Sequence, residues 1–173
     1  MDGTAPPIRA IFELTYETWN ANGVFVSEKK RFTVDAGHNL DQIESTFTVE
    51  GGAKDVIVAI GVNKNSGDKG QDAKAEITPN QAGGWFTQWE VQKTNGSIGE
   101  AIIVPVGLHG FAEDAVNRLV LAKVTSGQPL RYYVGGGWSK AGEFLSKDDW
   151  NKYVAARAAQ IKSPVRVAVS EAK

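Results

Sequence analysis

VFVSEKKRFTVDAGHNLDQIESTFTVE, residues 24–50, decides the fold class. Residues 24–35 alternate in polarity, Ala36-Gly-His-Asn39 carries turn chemistry, and alternation resumes over residues 39–50. A period of two marks a half-buried strand, so the stretch predicts two antiparallel strands about a turn. Paired that way, Phe32 and Val34 share a face with Ile43, Phe47 and Val49. The other face carries Arg31, Thr33, Asp35, Glu44, Thr46 and Thr48, with Arg31 close to opposite Glu44 as a cross-strand pair.

The same pattern extends in both directions. Residues 8–19 (IRAIFELTYETW) alternate, and Asn20-Ala-Asn-Gly23 turns the chain into the next strand. Residues 56–62 form a short apolar run suited to a sandwich core, and residues 63–71 (NKNSGDKGQ) are expected to form a long polar loop. Further strands are predicted at 73–78, 84–91, 97–106, 116–125 and 129–135, with hairpin-sized gaps except for a loop at 104–114. One segment has another period. In residues 146–161 (SKDDWNKYVAARAAQI), Ser146 is an N-cap with Asp149 three residues on, and Trp150, Tyr153, Val154, Ala158 and Ile161 recur at helical spacing. Ser163-Pro164 stops that helix, and Val165, Val167 and Val169 alternate as a closing strand. These elements predict an all-β antiparallel sandwich with one helix before its last strand, in a single domain over residues 1–173.

Composition removes several classes of function. The 173 residues hold 19 Lys plus Arg against 20 Asp plus Glu, a formal charge of −1, which leaves no surplus for a general nucleic-acid grip or a polybasic membrane anchor. With no cysteine there are no disulfides, thiolate nucleophiles or iron–sulfur clusters, and two histidines exclude multi-histidine metal sites. No run of 18 apolar residues suits a transmembrane helix, and residues 1–7 (MDGTAPP) do not read as a secretory signal. What stands out is 19 glycines and 16 aromatics.

Those residues concentrate in two places. In Gly83-Gly-Trp-Phe-Thr-Gln-Trp-Glu90, Trp85, Thr87 and Trp89 project to one sheet face and Phe86, Gln88 and Glu90 to the other. Indole faces suit both a sandwich core and a sugar ring, and a carboxylate at Glu90 is hard to place in a core. In Arg131-Tyr-Tyr-Val-Gly-Gly-Gly-Trp-Ser-Lys140, three glycines permit close approach of a backbone or a ligand and present Trp138 and Lys140. Tyr132 or Tyr133 would then line one end of a carbohydrate groove. His109, beside Glu113 and Asp114, has the chemistry of a general base. Arg118 alternates with Val116 and Val120 on an otherwise apolar face, so it needs a partner and is the preferred anion-binding arginine.

Residues 132–144 (YYVGGGWSKAGEF) and 149–153 (DWNKY), with residues 12–16 (FELTY) and 31–47, resemble the second half of a bacterial family of unknown function. Members are encoded among enzymes that degrade pectin and other uronate polysaccharides. The resemblance implies a galactose mutarotase-like supersandwich whose concave sheet holds the sugar, in a protein about twice as long. It therefore implies three alternatives for this chain, in a periplasmic or secreted setting: as the second half of that sandwich it meets a partner chain supplying the first half or another copy of itself, or it rearranges into a smaller sandwich that closes alone. The function expected is a carbohydrate-active protein for acidic saccharides, lyase-like or mutarotase-like. The alternative is a non-catalytic carbohydrate-binding sandwich, or a structural domain of a larger polysaccharide-degrading enzyme. Glu90, His109 and Tyr133 are the candidate catalytic groups, and Trp89, Arg118, Trp138 and Lys140 the candidate substrate-binding groups. No cofactor or metal is expected; a carboxylate-rich calcium site stays open, with no residue pattern that supports it.

Overall fold

A computed structural model describes residues 8–51, 54–64, 74–92 and 94–168. The hairpin that decides the fold forms as expected: β2 (Val24–Asp35) pairs antiparallel with β3 (Leu40–Val49), with Arg31 opposite Glu44 and Phe32 opposite Ile43. β1 (Arg9–Ala21) precedes them through a tight turn in which Asn22 and Gly23 both take positive φ, the geometry that matches strand twist. The remaining strands are β4 (Asp55–Asn63), β5 (Lys74–Asn80), β6 (Trp85–Gln92), β7 (Gly96–Ile103), β8 (Leu108–Glu113), β9 (Asn117–Thr125) and β10 (Pro129–Trp138). They build a seven-stranded sheet in the order β1-β2-β3-β10-β7-β6-β5 and a three-stranded sheet in the order β4-β9-β8.

Three layers follow. Between the sheets, Ile43, Phe86, Ile102, Leu130 and Tyr132 of the large sheet, with Val104 just past β7, pack against Val62, Val120, Ala122 and Val124 of the small one. Outside the large sheet lies α1 (Lys147–Lys162), whose Trp150, Val154 and Ala158 are buried against Leu40, Trp85, Trp89, Ala101 and Ile103. Ser146 caps α1 reciprocally: its hydroxyl oxygen accepts the Asp149 N–H at 3.2 Å and its O–H donates to the Asp149 carboxylate at 2.7 Å. β6 is therefore covered on both faces, by the small sheet and by the helix.

Four expectations are corrected. Residues 108–113 are a strand rather than loop; a register shift between Leu108 and Gly110 breaks the alternation that would have marked them. The strand expected over residues 97–106 ends at Ile103, where Val104 turns to donate to the Gly84 carbonyl. No closing strand follows α1 through residue 168: Val165 and Val167 are exposed and unpaired with any strand, and Val169 lies outside the described residues. Glu44 is bound by Arg131 of β10 rather than by Arg31, because β3 lies between β2 and β10 and Arg131 also falls opposite Glu44. Of the loop expected at residues 63–71, 65–71 lie outside the described residues.

Candidate functional site

On the outer face of β1, β2, β3 and β10, side chains of alternating charge stand in a cross-strand row: Glu13, Arg31, Glu44, Arg131. Arg131 donates from Nε and Nη2 to one Glu44 oxygen at 2.9 and 2.6 Å, and Lys29 reaches Glu13 at 2.8 Å. The Lys29 hydrogen bond, aided by the Lys29 and Arg31 charges, outweighs burial and holds the Glu13 carboxyl below its ordinary range. In a neighbouring position Arg9 donates twice to Asp35, at 2.5 and 2.7 Å. Opposite charges on adjacent strands compensate one another, so this polar platform carries little net charge.

The platform ends in a groove against the C-terminal turns of α1. Gln42 and Tyr133 form its floor, Asp35, His38 and Arg131 its rim, and Arg157, Gln160 and Ile161 its helical wall, enclosing about 310 Å³. A second hollow of about 440 Å³ continues past Arg131, Tyr133 and Ile161 toward Lys123 and Lys162. The Tyr133 O–H donates to Gln42 Oε1 at 3.1 Å, and the Asn39 N–H donates to the Tyr153 hydroxyl at 3.0 Å, tying the β2–β3 turn to the helix. Burial pushes the Tyr133 phenol up, against the opposing charges of Arg131 and Arg157. Asp35 is held down by its hydrogen bond from Arg9 and by the charges of Arg9, His38 and Arg157, against burial. Arg157 itself donates from Nη1 to Gln160 at 2.9 Å, while its buried Nε has no hydrogen-bond partner among the described residues. A guanidinium so placed beside a phenol and an amide is set to receive a carboxylate.

The inner face of the large sheet is apolar with two exceptions, both bordering a cleft of about 1150 Å³ between the sheets. In one, Lys30 lies 3.4 Å from Glu28 and 5.1 Å above the Tyr16 ring, and Tyr132 sits 3.4 Å from the Ser45 hydroxyl. Burial pulls Lys30 down, but Tyr132, Glu28 and Tyr16 outweigh it and hold the ammonium above its ordinary value. In the other, the Gln88 amide donates to Glu90 at 2.7 Å and Glu100 at 2.9 Å, and Arg118 from the small sheet donates to its oxygen. Burial and the neighbouring Glu90 charge raise the Glu100 carboxyl, against Gln88 and Arg118.

The candidates read from sequence are thereby dispersed. Glu90, 2% exposed, and Arg118 meet through Gln88 between the sheets. Trp89, 4% exposed, is packed beneath α1 with Trp85 and offers no face to a ligand. His109 is exposed on β8, an edge strand of the small sheet. Trp138 and Lys140 close the β6–β7 turn, donating to the carbonyls of Asn95 at 2.7 Å and Thr94 at 2.9 Å. Only Tyr133 lies in the outer groove. The three glycines serve packing: a Cβ at Gly135 would come within 1.9 Å of the Asn39 carbonyl oxygen, and one at Gly137 within 2.5 Å of Phe144. Missed by sequence were Gln42 and Arg157 in the groove and Glu28, Lys30, Gln88 and Glu100 inside. Glu28 and Lys30 share the parity of Val24, Val26, Phe32 and Val34, a signal open to detection; Arg157 on a helix had none.

A family model described as "Domain of unknown function (DUF4861)" matches residues 4–167. An uncharacterized protein P7 of Formosa agariphila is 28% identical over 173 residues, covering 96% of this chain and 41% of that protein. The chain thus spans less than half the length of that relative. Among solved structures, a putative kojibiose phosphorylase from the human microbiome is similar with a TM-score of 0.61 at 11% identity, over 88% of this chain and 21% of that one. This last likeness is one of fold.

Proposed function

The chain belongs to the family described as a domain of unknown function, DUF4861, and on that premise we propose that it is a saccharide-binding sandwich unit of a longer carbohydrate-active protein, taking an acidic saccharide in the outer groove. One observation carries the proposal: the Arg157 guanidinium lines an open polar hollow together with Arg131, Tyr133 and Gln42. A uronate carboxylate meets the Arg157 guanidinium, sugar hydroxyls meet Gln42 and Tyr133, and Arg131 adds charge at the rim. The structural neighbour bears the name of a kojibiose phosphorylase, which agrees with a carbohydrate setting. Binding is favoured over lyase-like, mutarotase-like or hydrolytic turnover. A Tyr133 base would have to lose a proton that burial retains and that Gln42 accepts, while Glu90 and His109 lie outside the groove.

Isothermal titration of the chain with tri-galacturonate and with its methyl ester tests this. The acid should bind about 10- to 100-fold more tightly, the worth of one charge-assisted hydrogen bond. Arg157→Gln should erase that difference with the fold intact by circular dichroism. Equal affinities, or an unaltered preference in Arg157→Gln, would overturn the proposal. Absorbance from an unsaturated sugar product would replace binding alone with lyase activity.

A further inference from the structure

The two sheets differ in extent, and the inner face is covered only in part. Seven strands are opposed by three, and β1 is exposed along its whole length. Phe12 stacks on Phe32 at 4.6 Å, which fixes its side chain on the inner, core-facing side. On that face Phe12, Leu14 and Tyr16, with Trp19 brought into line by the register shift after Tyr16, remain 40–47% exposed, a continuous apolar strip of the kind soluble proteins bury. Across the cleft from this strip runs β4, an edge strand of the small sheet. Between Asp55 and Asn63 it reads VIVAIGV, with no charge, proline or bulge to block pairing. A sheet edge open to pairing and an apolar floor open to covering therefore border one space.

We infer that this space is an interaction surface for further β-strands, pairing with β4 and lying across β1 and β2, supplied by a region of a longer polypeptide. The strands required alternate in polarity, with apolar side chains toward Phe12 and Trp19. The 28%-identical relative extends well beyond the 41% that this chain covers, which is length enough for such strands. The undescribed residues of this chain do not suit the role: 65–73 read NSGDKGQDA, and the terminal stretches 1–7 (MDGTAPP) and 169–173 (VSEAK) are too short to supply alternating apolar strands. A second copy does not suit it either. Antiparallel pairing of β4 with its own copy needs a two-fold axis perpendicular to the sheet, which puts both large sheets on the same side of the joined small sheets. The copy's large sheet would then collide with β1 and β2. Lys30 and Glu28, already paired at 3.4 Å, can be covered without leaving either charge alone.

Hydrogen exchange followed by mass spectrometry tests this on the 173-residue chain and on the whole product of the reading frame that encodes it. In the whole product, amides of β4 and β1 should exchange at least about tenfold more slowly than in the chain, with β9 unchanged. Equal exchange in the two would overturn the inference. So would a reading frame that ends with this chain and gives a monomeric product, or protection of β4 in the chain that grows with concentration and marks a second copy. The groove lies on the opposite face, so saccharide binding and strand docking fail or hold separately.

Discussion

Replacing Gly99 with alanine should be costly only while Trp150 is present. Trp150 is fully buried, its ring centroid 4.9 Å from that of Phe144 and 5.5 Å from that of Tyr153, and its indole N–H donates to the Glu100 carbonyl at 3.1 Å. Beneath it lie Gly99 and Gly137, opposite one another across β7 and β10. A Cβ at Gly99 would sit 2.8 Å from three indole atoms, and the stacked rings leave the indole little room to retreat. Overpacking of this kind costs about 1–3 kcal/mol. Trp150→Ala should cost about 3–5 kcal/mol for the cavity and about 1 kcal/mol more for the lost hydrogen bond. In the double variant the alanine methyl enters vacated space, so the two substitutions should couple favourably by about 1–3 kcal/mol. Urea unfolding of the four proteins, with equal slopes, measures that coupling. Additivity within about 0.5 kcal/mol would refute the idea that these glycines exist to seat the helix. The groove depends on that seat, because Arg157 and Ile161 are carried on α1.

Three further outcomes are expected. Glu100 binds its proton more tightly folded than unfolded, so its contribution favours the native state in acid and is lost as pH rises through its raised folded value. Glu100→Gln should accordingly be more stable than wild type at neutral pH, with the margin shrinking below the ordinary carboxylate range; urea midpoints at the two pH values decide it, and the reverse order contradicts it. Arg118→Met removes the donor to Gln88 and a cation that lowers Glu100, so it should cost about 1.5–3 kcal/mol and raise the Glu100 titration midpoint seen by carbon NMR. Arg131→Ala breaks an exposed pair with Glu44, so stability should fall by no more than about 1 kcal/mol while calorimetry shows weaker uronate binding.

Much of the fold was legible because one face of most strands is buried, and β1, exposed throughout, keeps the same alternation. The parity of residues 24–50 was enough to place Arg31 close to opposite Glu44 and Phe32 on one face with Ile43, and the cap at Ser146 marked the helix to within a residue. β8 escaped because glycines at 107 and 110 and the bulge at 108–110 interrupt its period. Residues 165–167 misled because alternating valines satisfy a local pattern, whereas a strand exists only where its backbone pairs with another. The site was far less legible. Arg131 stands in the sequence only as the first residue of the glycine-rich stretch, and its place beside Arg157 exists only because α1 folds back over β10 and β3, a meeting that no spacing encodes. Trp89 and the glycines of residues 135–137 looked like ligand chemistry and are packing chemistry, since a buried indole needs a flat neighbour as much as a sugar does.

The most direct test of acidic-saccharide binding is the side-chain Nε–H resonance of Arg157 in a nitrogen-15 NMR titration with tri-galacturonate. The account predicts that this signal shifts and saturates together with Tyr133 and Arg131, while Lys30 and Tyr132 in the inner cleft stay still. Shifts confined to Lys30 and Tyr132, or none at Arg157 at saturating saccharide, would contradict it.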